Sequence, residues 1–96
     1  MPTMDRAALE RSWAATAKHL NAARAQLPEV PAPGADGATL GGFEECLRKN
    51  EMEWALDELE DLGLTNAPPA EFWRHLARAA ENMGLSDRAA DFKRNV

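Results

Sequence analysis

Tyrosine and isoleucine are absent from this sequence, and valine occurs only twice, at Val30 and Val96. With so few β-branched and aromatic residues and no alternating apolar run, the chain has little from which to build strands. Cys46 is the only cysteine, which excludes an internal disulfide. Its place on an apolar stripe suits a small buried hydrophobe. The two histidines, His19 and His75, fall on different predicted helices, and no Cys-x-x-Cys, His-x-x-x-His or calcium-loop pattern exists. No metal and no cofactor are therefore expected. The only serines, Ser12 and Ser86, read as helix or cap residues, so no activated nucleophile is expected either. The sequence reads as a non-enzyme. No apolar stretch approaches the length of a membrane span, and the start, MPTMDRAALE, lacks a basic region followed by an apolar run. A cytoplasmic protein that does not enter membranes is the expectation.

Charge is present but unevenly placed. The net charge is −5, yet residues 36–61 hold nine acids against two bases, a local charge of −7. Phosphates would be repelled there, which argues against nucleic acid and suits a cationic partner. Ninety-six residues suit one domain, 1–96, burying about two-thirds of its unfolded surface.

Apolar residues recur at helical spacing along most of the chain. A first helix is predicted from Asp5 to Leu27, with Thr3 or Asp5 as its cap and Leu9, Trp13, Ala17, Leu20, Ala23 or Arg24, and Leu27 on its stripe. Pro28 ends it. Residues 28–42 carry seven prolines and glycines in fifteen positions and read as a flexible loop. Gly63 is the expected stop of the central helical region, and residues 65–69 a turn with Pro69 at the first position of the next helix. Phe72, Leu76, Ala79 or Ala80, and Met83 form that helix's stripe, with Trp73 at its edge. Gly84-Leu85 reads as a Schellman ending, after which Ser86 or Asp87 caps a short helix carrying Leu85, Ala89, Phe92 and Val96 on one face. The fold class is all-α, an antiparallel bundle of four to five helices with a long Pro/Gly-rich loop after helix one.

The stretch from Phe43 to Leu64 holds half of the sixteen acidic residues. Wound at about 100° per residue, Met52, Ala55, Leu56, Leu59 and Leu62 make one apolar arc. Trp54 lies roughly 160° from Leu56, among Glu53, Asp57, Glu58 and Asp61. Phe43, Cys46 and Leu47 form a separate stripe. Either the chain breaks near Lys49-Asn50, with Asn50 capping a second helix and Trp54 facing out, or one continuous helix is buried on two sides with Trp54 inside. The position of Trp54 separates the two.

Phe43-Glu44-x-x-Leu47-x-x-Asn50-Glu51, then Ala55-Leu56-x-x-Leu59, and a later helix ending Met83-Gly84-Leu85 resemble the small helical immunity proteins of the Maf type from bacterial polymorphic toxin systems. The likeness covers roughly residues 43–85. It implies a protein that binds and neutralises a cognate toxin, often a nuclease. On this reading Glu53, Trp54, Asp57, Glu58 and Asp61 meet a basic protein partner, a toxin domain, and occlude it with carboxylates that imitate phosphates. The alternative is an adaptor bundle that self-associates through Trp54 and the Phe43 stripe.

Overall fold

The computed structural model describes residues 5–96, and in them five helices and no strand are found. Helix α1 spans Arg6–Arg24, α2 Leu40–Arg48, α3 Met52–Asn66, α4 Ala70–Asn82 and α5 Ser86–Lys93. No described helix is long and apolar enough to cross a membrane.

Asp5 caps α1, its carboxylate accepting from the Ala8 N–H at 2.7 Å. The alternative cap, Thr3, lies outside the described residues. The helix closes at Arg24, three residues before the predicted end. From there the Gln26 and Leu27 N–H groups bond three residues back, and Arg24 donates to the carbonyls of Pro28 and Glu29 at 3.2 and 2.9 Å. Proline has no N–H and keeps its predecessor out of the helical region, so the last turn tightens and opens before reaching it. The buried side of α1 is Thr16, Leu20 and Ala23. Leu9, expected on the stripe, is 37% exposed, and Trp13 is half-buried against the core. Thr16 is buried because Asn82 of α4 donates to its hydroxyl at 2.6 Å.

The chain does break between α2 and α3, though not through a cap at Asn50. Asn50 takes the left-handed conformation, φ 58°, as the residue after the α2 C-cap. The Glu51 N–H returns to the Cys46 carbonyl and the Asn50 N–H to Leu47, which is the Schellman pattern. Asparagine tolerates this backbone better than other non-glycine residues, and that use outweighs capping α3. Helix α3 starts after Glu51 with no side-chain cap.

Gly63 does not stop α3, which runs on to Asn66 and ends at Ala67 in the left-handed conformation, before Pro68. Gly63 is instead a point of close approach. A Cβ there would sit 2.3 Å from a carbon of the Phe72 ring, so only glycine lets α4 lie this near. Thr65 and Asn66, predicted as turn, are accordingly helical. Pro69 is the cap of α4 rather than its first residue.

Helix α4 packs on α1, α3 and α5 and is buried on more than one side, through Phe72, Trp73, Leu76, Ala77, Ala79 and Ala80. Trp73, read from sequence as an edge residue, packs edge-on to Phe72 (4.9 Å between centroids) and stacks on Phe92 of α5 (6.2 Å). Gly84 closes α4 as a Schellman turn, with the Leu85 N–H on the Ala80 carbonyl, as predicted. Neither Ser86 nor Asp87 caps α5; Leu85 occupies that position and no side chain bonds there. Val96 is 49% exposed and does not join Ala89 and Phe92 in the core.

Gly63→Ala should lower stability by about 1–3 kcal/mol, the usual cost of overpacking a core. Denaturant unfolding checks this, and an unchanged midpoint would show that α3 and α4 can part to admit a methyl group.

Candidate functional site

The inward side of α3 decides what its outward side presents. Met52, Ala55, Leu56, Leu59 and Leu62 are all buried, so the residues between them face out. Trp54 is 64% exposed, the largest exposed ring of the described chain, and Glu53 beside it is exposed too. The two-helix account of this stretch therefore holds. Phe43 of α2 is buried at 1% exposure, turned to the core by the Asn50 break.

The other three predicted residues share the face with Trp54 but carry bonds within the chain. Asp57 pairs with Arg88 of α5 at 2.5 Å, and the same guanidinium takes Glu60 at 2.9 Å. Arg88 also lies over the Phe92 ring, 5.4 Å from its centroid, and so clips α5 to α3.

Glu58 and Asp61 hold the segment between α1 and α2. Residues 28–39 of that segment form neither helix nor strand; the Gly34 and Gly37 N–H groups bond within it, to the Ala38 and Gly34 carbonyls, and others find acceptors on α3. Asp61 accepts from Asp36 at 3.1 Å and from Ala38 at 3.0 Å. Glu58 accepts from Thr39 at 3.2 Å. Thr65 accepts from Ala35, and Asn66 both accepts from and donates to Ala32 at 2.9 Å. The segment is thus a strap laid along α3. Gly34 fits because a Cβ there would come within 2.0 Å of the Asp61 carboxylate. The last residue of the strap, Thr39, caps α2 by accepting from Gly42, so Leu40, Gly41 and Gly42 are helical rather than loop.

The acidic face that looks continuous in the sequence is therefore divided. At its N-terminal end Glu53 and Trp54 stand free, beside a shallow cleft with Glu51 and Met52. At its C-terminal end Asp36 and Ala38 of the strap, Asp57 and Asp61 of α3, and the exposed Leu64 line an open trough. Sequence reasoning missed Arg88, which lies far along the chain with no local signal. Thr39 before Leu40-Gly41-Gly42 was a legible cap signal. No group of three His, Cys, Asp or Glu side chains among the described residues is placed to hold a metal. Cys46 is half-buried, and burial, then the charges of Glu51 and Glu58, push its thiol above the ordinary value. The thiol form prevails at neutral pH, which suits packing rather than reactivity.

Two substitutions check this geometry. Trp54→Ala should change stability by no more than about 0.5 kcal/mol, as for an exposed site, whereas Trp73→Ala should cost about 3–5 kcal/mol. Chemical denaturation compares them directly. Asp61→Asn puts an amide group against the strap's N–H groups and should cost about 1–3 kcal/mol. Hydrogen exchange at Asp36 and Ala38 should quicken, and unaltered protection there would mean that Asp61 does not hold the strap. Comparison of the chain with family models, with curated proteins and with solved structures found no match.

Proposed function

We propose that this protein is a non-enzymatic binding module that captures a basic protein through the α3 face around Trp54. The single observation that carries the reading is Trp54, 64% exposed and flanked by Glu53 and Asp57. An indole in water adds nothing to the stability of the bundle, whereas tryptophan is among the residues that most often anchor interfaces. The carboxylates around it would steer a cationic partner and speed its capture.

The partner we propose is a toxin domain, held in the bacterial cytoplasm and inhibited by occlusion, in keeping with the likeness to Maf-type immunity proteins. The helices, packed as an antiparallel bundle, are the frame. The long Pro/Gly-rich strap fixes Glu58 and Asp61 as neighbours of the anchor. Of the five residues expected to meet the partner, Glu53 and Trp54 make the primary contact in this reading. Asp57 contributes charge while shared with Arg88, and Glu58 and Asp61 contribute it while bound to the strap. The self-association account needs Phe43 and Trp54 on one surface, and Phe43 is only 1% exposed.

The test is binding to the product of the adjacent gene, measured by calorimetry. Raising NaCl from about 0.1 to 1 M shortens the screening length from about 10 to 3 Å and should weaken binding steeply. Trp54→Ala should lose about thirtyfold in affinity, the equivalent of about 2 kcal/mol. Binding indifferent to both salt and Trp54 would overturn the reading.

A further inference from the structure

Besides Trp54, α3 leaves one other large apolar side chain in water: Leu64, 66% exposed. Trp54, Asp57, Asp61 and Leu64 follow one another at intervals of three, four and three residues. At about 100° per residue they share one stripe about 80° wide. Ten residues at about 1.5 Å each set the indole and the leucine about 15 Å apart along the axis. The stripe runs along the ridge between two neighbours of α3. The strap is bound through Glu58 and Asp61, and α5 through Asp57 and Glu60. Neither neighbour covers it, since Trp54, Asp57 and Leu64 are all exposed.

Between the two apolar ends lies charge. Asp36 of the strap and Asp57, Glu58, Glu60 and Asp61 of α3 place five carboxylates around the open trough at Leu64. Only Asp57 and Glu60 meet a cation, the single guanidinium of Arg88, which leaves a net charge of −4. The strap bonds to Glu58 and Asp61 come from neutral amides, so the negative charge of those two side chains stays in place. The same bonds hold the carboxylates still, so a partner has less side-chain freedom to remove on binding. The acids are strung along the helix instead of converging, and no three of them are placed to hold a metal ion. Negative charge spread in this way suits several cations carried at intervals on one element.

We propose that α3 takes a basic amphipathic helix of its partner at two points, one apolar side chain on Trp54 and a second on Leu64, with arginines or lysines over the acids between. This rests on the reading of Trp54 as the anchor and adds a second contact and the form of the partner's element. A helix laid along α3 spans about 15 Å in ten or eleven residues, and eleven residues return a side chain to the same face after about three turns. On that face it offers four places for cations, three, four, seven and eight residues after the first apolar one. An extended strand crosses the same span in about five residues and turns only every second one toward α3. It would set about one cation against a net −4. The helix is the element that answers the charge.

The probe is a capped, alanine-based helical peptide with two leucines about three turns apart and arginines at the four places between them. Titrated into the full chain by calorimetry, it should bind saturably and weaken as NaCl rises. Leu64→Ala, at an exposed position where alanine also favours helix, should weaken that binding about tenfold with the circular dichroism unchanged. Against a peptide that keeps one leucine, the same variant should change affinity by less than about twofold, because the side chain it would meet is gone. A third peptide of the same composition, with its leucines on opposite faces, should bind no better than the one-leucine peptide. No binding, equal binding of the three peptides, or a Leu64→Ala variant as tight as the parent overturns the proposal. Trp54→Ala tells the two readings apart. Sensitivity at Trp54 with silence at Leu64 removes the second point and leaves the anchor, whereas silence at Trp54 removes both.

Discussion

Backbone N–H groups that leave regular structure must still find acceptors, and in this protein the carboxylate of Asp61 supplies the central one. The chain between α1 and α2 has no helix or strand in which to satisfy itself. Asp61, Glu58, Thr65 and Asn66, all on one flank of α3, provide for it from a single helix. The entry of α2 depends on the same flank, because Thr39 is bound by Glu58 immediately before it caps the helix. Gly34 makes the arrangement possible by leaving room for the carboxylate.

The acidic stretch therefore has two physical origins. Part of its charge is internal, engaged by strap amides and by the Arg88 guanidinium that joins α5 to α3. Glu45 pairs within its own helical region with Arg48 and Lys49, and Glu44, Glu51 and Glu53 enter no ion pair among the described residues; of these, Glu53 faces water beside the indole. The wholly unengaged part of the surface is smaller and nearer the start of α3 than the density of acids suggests.

Much of the fold was legible. Helical periodicity located α1, α3, α4 and α5 and left α2 and α3 undivided as one of two readings; the Leu56, Leu59 and Leu62 stripe turned inward as wound, and the Gly84 ending took its expected form. Failures cluster where a residue has two competing uses. Glycine at 63 reads as a stop when only the local chain is considered, but the Phe72 ring on another helix required it. Asparagine at 50 reads as the cap of α3, yet it serves to close α2. Asp61 and Glu58 read as part of a partner-facing surface because their donors lie on backbone some twenty residues away, and backbone N–H groups leave no mark in composition. Leu9 was misplaced for a different reason: the periodicity continues past the point where α4 ends and nothing remains to cover it.

The three indoles sit in three different surroundings: Trp73 is sealed between rings, Trp13 is half-covered, and Trp54 stands in water. The protein consequently carries its own set of optical labels. Emission at the red edge belongs chiefly to Trp54, and the negative field around it draws caesium quencher close while holding iodide off. Fluorescence alone, without any attached dye, can therefore distinguish events at the α3 surface from loosening of the interior.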